Sequence, residues 1–378
     1  MKKFLSLMLS GLMLLGLAAC GGEPAPAGDK TPDPVQDMPS YQSVDENPVQ
    51  TYDLTVEPNT DVLESLMASY DQSTAVAIDA SGEMSAMAEA HGELEDIVSE
   101  PPPMSGEPAA LPLVLKPEAS GTKVMSNSNC KIDYSNTADG YFMAKWTASP
   151  QKIKLQSTGP SGVTYTYDLY GNDWAAFPFS DGNGNYNIRV MQNVGGTKYA
   201  VAGKINTKVK MTDEFAPFLR PNQYVNYENA TDTTAKAAEL CQNMTTDLDK
   251  VAAVYDWVTS NLTYDYNKAA NVQSGYLPDL DSVLASKTGI CFDYAALMTG
   301  MLRSQGVACR LVVGYAGSAY HAWISVYVND LGWVDGVIFF NGVSWQRMDP
   351  TYASTGKGNA SVLQYIGDGS NYSAKYQY

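Results

Sequence analysis

The chain has 378 residues, with 41 acids, 24 bases and two histidines, for a formal net charge of −17. The imbalance is local: residues 21–120 hold 20 of the acids and only Lys30 and Lys116 as bases, whereas residues 121–378 hold 21 acids and 20 bases. Neither part offers a basic surface by composition, which excludes nucleic acid as an expected partner.

The first residues, MKKFLSLMLSGLMLLGLAACGG, set Lys2 and Lys3 before an apolar run from Phe4 to Leu17 and then small residues. A run of that length suits a secretion signal better than a bilayer span, which needs about 20 residues. The boundary LAAC resembles the lipobox of bacterial lipoproteins. That resemblance implies a signal peptide over 1–19, cleavage before Cys20 and lipidation of Cys20. The expected location is extracytoplasmic, anchored by lipid to the bacterial cell membrane and facing the cell wall or exterior, with no other contact to the membrane. A secreted protein with a chance cysteine is the alternative. Residues 20–120 are rich in Pro, Ala, Ser and acids, as in GGEPAPAGDKTPDPVQDMPS and SEPPPMSGEPAALP. They carry little apolar surface to offset the entropy of ordering. An acidic, disordered tether is expected, with at most a fraying helix around Gly82–Val98. A flexible tether of about 100 residues spans on the order of 50–60 Å.

Over residues 121–215 the pattern changes to short alternating runs: KIDYS, GYFMAKWT, KIKLQST, VTYTYDLY, WAAFPFS, YNIRVMQNV and KYAVAGKINTKVKM. Turn-forming stretches such as TGPSG and DGNGN separate them. This spacing predicts a small all-β sandwich, Ig-like in plan. Tyr141, Phe142, Trp146, Tyr165 and Tyr167 either line a sugar-binding face or fill the core.

Residues 216–378 open with helical periodicity. TTAKAAELCQNM reads as one helix. TDLDKVAAVYDWVTSNL reads as a second, with Leu248, Val251, Ala252, Tyr255, Val258 and Leu262 on one stripe. Thr246 with Asp249 three residues on has the form of a helix cap. A third helix starts at Cys291 and stops at Gly306. The runs ACRLVVGYAG, HAWISVYVN, GVIFFNG and VSWQRMDPT then read as strands. Helices first and an antiparallel sheet afterwards argue for an α+β fold.

The chemistry gathers in this part. Cys291 at a helix start lies where backbone N–H groups and the helix dipole favour an anion, which suits a thiolate. His91 lies in the acidic tail, whereas His321 opens an apolar strand in the same domain as Cys291. Asp349, in RMDPTY, is placed to orient such a histidine. Together GICFDYAALMTGMLRSQGVACRLVVGY, HAWISVYV and WQRMDPTY resemble the transglutaminase-like superfamily of papain-like cysteine enzymes, over roughly Lys250–Ser354. The resemblance implies helices packed on an antiparallel sheet, Cys291 as nucleophile, His321 as general base and Asp349 as orienting acid. The Gly314-Tyr315 pair also fits it. NDLGWVDGVIFFNG separates His321 from Asp349 where the family commonly has a short turn, so Asp335 is a rival for the third role. Trp257, Tyr264 and Tyr266 are candidates to assist the oxyanion.

Cys130, Cys241 and Cys309 read as buried free thiols, with a Cys241–Cys309 bridge as the alternative. No Cys/His spacing matches a zinc site and no acidic loop a calcium site, so no cofactor or metal is expected. The implied reaction is thiol acyl transfer or hydrolysis of an amide, with protein or cell-wall (peptidoglycan) peptide as substrate. A non-catalytic surface protein that holds a protein or glycan partner on the sandwich and groove is the alternative. The oligomeric state is left open.

Overall fold

The computed structural model describes residues 51–53, 112–273, 275–317, 319–328, 332–334 and 372–378. Each alternating run between Cys130 and Val209 forms a strand, because period-two patterning lets one face be buried. Two strands precede them, β1 (Thr51–Asp53) and β2 (Val124–Ser126). The expected strands are β3 (Cys130–Asp133), β4 (Tyr141–Trp146), β5 (Ile153–Thr158), β6 (Thr164–Asp168), β7 (Ala175–Pro178), β8 (Gly184–Gly195) and β9 (Lys198–Val209). They make one sheet in the order β1-β9-β8-β5-β6 and another in the order β2-β3-β4-β7. Rings cross from sheet to sheet: Tyr167 of β6 meets Phe177 of β7 at 4.9 Å, and Tyr186 of β8 meets Phe179 at 4.7 Å. Tyr141, Phe142, Trp146, Tyr165 and Tyr167 are all buried, so this aromatic set is core and not an open face.

The stretch expected to be a disordered tether up to residue 120 needs correcting at two places. Residues 51–53 pair antiparallel with the edge strand β9, Thr51 opposite Ala200. An unpaired strand edge can recruit even a short polar segment. Further on, the Leu113 N–H donates to Ser304 O at 2.7 Å, Val114 lies against the core, and Lys116 pairs with Glu228 at 2.6 Å. The apolar run LPLVL is hidden when composition is averaged over a hundred residues. The signal peptide, Cys20 and the Gly82–Val98 helix lie outside the described residues.

The second half contains α1 (Thr231–Leu240), α2 (Asp247–Asn261), β10 (Thr263–Tyr264), α3 (Tyr266–Asn271), α4 (Leu280–Ser286), β11 (Thr288–Gly289) and α5 (Cys291–Ser304). The strands β12 (Cys309–Ala316), β13 (Ala319–Val328), β14 (Gly332–Val334) and β15 (Tyr372–Gln377) follow, in the antiparallel order β14-β13-β12-β15. Thr246 caps α2 as expected, accepting from the Asp249 N–H at 3.1 Å. The helices α3 and α4 are too short to show an apolar period. The strands expected at 336–342 and 343–351 lie outside the described residues. Every residue of α5 is buried. It packs against α1, α2, α4, β12 and β13. Its middle is apolar or small on every side, and the two charges it buries, Asp293 and Arg303, stand in its first and last turns.

The sandwich and the α+β half share one continuous buried cluster. Tyr165 packs on Tyr376 and Tyr378, and Tyr167 on Tyr224 and Tyr378. Tyr224 in turn packs on Phe292 of α5 at 5.6 Å. Pairs of this kind contribute about 0.5–1.5 kcal/mol each beyond area burial. The boundary expected between 215 and 216 therefore falls inside a common core.

Candidate active site

The start of α5 is built by the residues just ahead of it. Ile290 is extended, with φ −93° and ψ 174°, and its carbonyl accepts from the Tyr294 N–H at 3.1 Å. Asp293, in the first turn, reaches back and accepts from the Ile290 N–H at 2.8 Å. Carboxylates are favoured there by the helix dipole and the unpaired N–H groups. Gly289 makes room for this: a Cβ at that position would lie 2.6 Å from the Asp293 Cβ. The segment is also pinned sideways, since β10 pairs parallel with β11, Tyr264 beside Gly289, and the Asp265 N–H donates to Gly289 O at 2.9 Å. Cys291 is thus the first residue of a helix whose entry is fixed from two sides, and its side chain is buried.

His321 is the third residue of β13 and stands opposite Gly314 of β12. It shares a face with Trp323, the two rings 6.3 Å apart and inclined by 24°. The alternate face carries Tyr320, Ala322, Ile324 and Val326, and α5 covers that one, as the Cys309–Thr299 contact on the paired strand shows. Gly314 leaves space for the crossing. A Cβ there would meet Ser373 O at 2.1 Å and Trp323 Cη2 at 2.9 Å.

The direction of α5 decides which end of the sheet each group occupies. At its C-terminal end, Arg303 Nε donates to Cys309 O at 2.8 Å, and Thr299 Oγ1 lies 3.6 Å from Cys309 Sγ. Cys309 pairs with Val326, near the end of β13. From Thr299 back to Cys291 is about 12 Å of helix. From Val326 back to His321 is about 17 Å of strand. Cys291 thus lies at the opposite end of α5 from the Cys309 contact, and His321 lies five residues along β13 from Val326, on the face opposite the one that α5 covers. Asp349 and Asp335 lie outside the described residues.

Of the three residues considered for the oxyanion, Tyr264 and Tyr266 flank the strand that holds Gly289, with their rings 5.0 Å apart. Tyr266 is 59% exposed. Trp257 instead packs with α1, under the Lys236 ammonium at 5.5 Å. The four cysteines described are free and all buried, so exposure does not single out Cys291. Setting does: burial pushes the thiols of Cys130, Cys241 and Cys309 up to about 11. None of those three opens a helix.

Residues 234–336 match the family model of the Transglutaminase-like superfamily. Over that stretch, about a quarter of the chain, the sequence is similar to the transglutaminase-like core. Among relatives, this chain is 27% identical over 181 residues to kyphoscoliosis peptidase of Homo sapiens, an alignment covering 42% of this chain and 26% of the relative. It is 26% identical over 191 residues to the uncharacterized protein YebA of Bacillus subtilis, covering 44% of this chain and 26% of the relative. The matched region thus spans about a quarter of each relative's length. Among solved structures, the periplasmic domain of TgpA from Pseudomonas aeruginosa aligns with a TM-score of 0.30 and 17% identity, over 64% of this chain and 76% of that one.

The matched region holds a group that the reading of its sequence passed over. The buried Asp293 carboxylate accepts from Lys268 Nζ at 2.7 Å and from the Tyr276 hydroxyl at 2.5 Å. Lys268 also reaches the Tyr276 hydroxyl at 2.5 Å. Burial first, and then the Asp293 carboxylate, hold the Tyr276 hydroxyl above its ordinary value, so it stays a donor. Asp293 was legible as an acid in a helix's first turn. Lys268 and Tyr276 come from other segments and left no local signal.

Proposed function

We propose that this chain is a cysteine enzyme of the transglutaminase-like class, acting on amide bonds of protein or cell-wall peptide. The observation that supports the reading is that Cys291 is the first residue of the buried helix α5, whose far end packs on β12, the strand paired with the one that carries His321. In the proposed reaction Cys291 Sγ bonds to the carbonyl carbon and gives its proton to His321. The imidazole passes that proton to the departing amine as the C–N bond breaks, leaving a thioester. Water or a second amine then attacks the thioester, giving an acid or a new amide and restoring the thiol. Asp349 orients the imidazole, with Asp335 as its rival. The N–H of Cys291, with a tyrosine of the Tyr264–Tyr266 pair, would receive the oxyanion. Lipidation at Cys20 would anchor the enzyme to the outer face of the cell membrane, and two or three acyl chains would make that anchorage stable.

The test uses a library of glutamine-containing and cell-wall peptides with hydroxylamine, which intercepts a thioester as a hydroxamate. The wild type should give hydroxamate from some of these amides, whereas Cys291→Ala and His321→Ala should give none. Equal yields from the wild type and Cys291→Ala would overturn the assignment. No product from any amide would favour a binding protein that retains the fold. Detergent partitioning of the mature protein, lost in Cys20→Ser, tests the anchor separately.

A further inference from the structure

A carboxylate two residues from a nucleophilic thiol is an electrostatic liability, because a like charge nearby disfavours the thiolate. Asp293 is such a carboxylate, and it is fully buried, where its field is poorly screened. It cannot simply be dispensed with, since it satisfies the Ile290 N–H and ends the approach to α5. The compensating charge is Lys268, whose side chain is a quarter exposed and lies 2.7 Å from Asp293 Oδ2. Tyr276 closes the cluster by bonding both partners and lying under the ammonium, 4.2 Å from its ring centre. The carboxyl group of Asp265 fixes α3, which carries Lys268, by accepting from the Lys268 N–H at 2.8 Å.

We propose that Lys268 is a positioning residue for Cys291: its ammonium cancels the Asp293 charge, so that the start of α5 keeps its preference for an anion. The inference rests on Cys291 being the nucleophile. Among the described residues, the other charged and titratable groups around α5 are few. Asp279, the cap of α4, lies near enough to raise the Tyr276 hydroxyl further. Tyr264 and Asp265 border β11, and His321 lies on β13, a strand that packs on α5. Lys250 of α2 bonds Gln305 O beyond the far end, where Arg303 and Arg310 also lie. Lys268 is thus the cation tied directly to the acid of the first turn. An ion pair here would also shape the oxyanion donor, because both the thiolate and the oxyanion develop negative charge at the same helix end.

The charges can be removed one at a time in the full-length protein, with the rate of Cys291 alkylation by iodoacetamide, which forms a thioether and releases iodide, followed from pH 5 to 10. Lys268→Gln should slow alkylation at neutral pH by about tenfold, and its rate should rejoin the wild type at the alkaline end. Lys268→Arg should restore the neutral-pH rate to within about twofold. The Lys268→Gln, Asp293→Asn double variant should be faster than Lys268→Gln alone, because both charges are then gone. Thermal melting of each variant shows whether the domain is folded. Lys268→Gln matching the wild type at all pH values would overturn the proposal. So would a slowing independent of pH, which is what loosened structure alone would give. If wild-type Cys291 does not react ahead of the other cysteines, the underlying reading of the nucleophile fails instead.

Discussion

Arg303 offers a demanding test of how the core holds together. It is fully buried on α5, and its guanidinium donates to Cys309 O at 2.8 Å, Arg220 O at 2.7 Å and Tyr378 O at 2.6 Å. One side chain thus ties the central helix to the start of β12, to the segment entering the α+β half and to the strand edge beside β12. Arg303→Met keeps most of the volume and removes the donor from Cys309 O and Arg220 O, while Tyr378 O keeps only the Leu311 N–H. Each such loss costs about 1–3 kcal/mol. Removing the guanidinium also removes the penalty of having buried its charge, which offsets part of the total. The net expectation is a destabilisation of about 3–5 kcal/mol, a large share of the ~5–15 kcal/mol typical of folded chains. In urea, with a slope of about 2–3 kcal/mol/M, the unfolding midpoint should fall by about 1.5 M. Arg303→Lys should lose nearly as much, since a point-like ammonium cannot serve three carbonyls in a planar fork. A methionine variant whose midpoint lies within about 0.5 M of the wild type would refute the assignment of Arg303 as the structural tie.

Gly314→Ala places a methyl 2.1 Å from Ser373 O and 2.9 Å from Ala374 Cα, backbone atoms that cannot swing aside. It should cost about 3 kcal/mol and lower the melting temperature by several degrees. A chain beginning at residue 125 loses the Leu113–Ser304 bond and the packing of Val114. It should melt about 5–10 °C below a chain beginning at residue 112, as read by circular dichroism. The raised thiols give a pH dependence of definite sign. In the folded chain Cys130, Cys241 and Cys309 keep protons up to about 11 that an unfolded thiol gives up from 9.0. The unfolded state binds fewer protons in that window, so stability should hold below it and fall as pH rises through it. Cys309→Ala should flatten part of the fall in urea titrations at pH 8 and pH 10.5.

The sequence disclosed most where its signals are local. Alternation gave the strands from Cys130 to Val209, and a stripe with a Thr-Asp cap gave the helix at 247–261. The start of α5 at Cys291 was readable from the long apolar run that follows it. What escaped was set by contacts distant in sequence. The strand at Thr51–Asp53 exists through pairing with an edge 147 positions later or so, at Lys198–Ala200. The short helices α3 and α4 are held by caps at Asp265 and Asp279 and not by an apolar period. Tyr165 and Tyr167 looked like any strand aromatics, yet they join the sandwich to Tyr376, Tyr378 and Tyr224. The same limit applies to the site. Cys291 and His321 became candidates by type and setting, whereas Lys268 becomes visible only once α3 lies beside Asp293.

The central claim is that Cys291 and His321 act as a pair, and competitive iodoacetamide labelling of the native wild type and His321→Ala at neutral pH tests it most directly. Mass spectrometry of the digested products reads each cysteine separately. The account predicts that Cys291 is labelled ahead of Cys130, Cys241 and Cys309, whose burial keeps them protonated. It also predicts that His321→Ala slows labelling of Cys291 about tenfold or more while the melting temperature holds, and that Asp349→Ala slows it less. Faster labelling of Cys241 or Cys309, or an unchanged Cys291 rate in His321→Ala, would contradict the account.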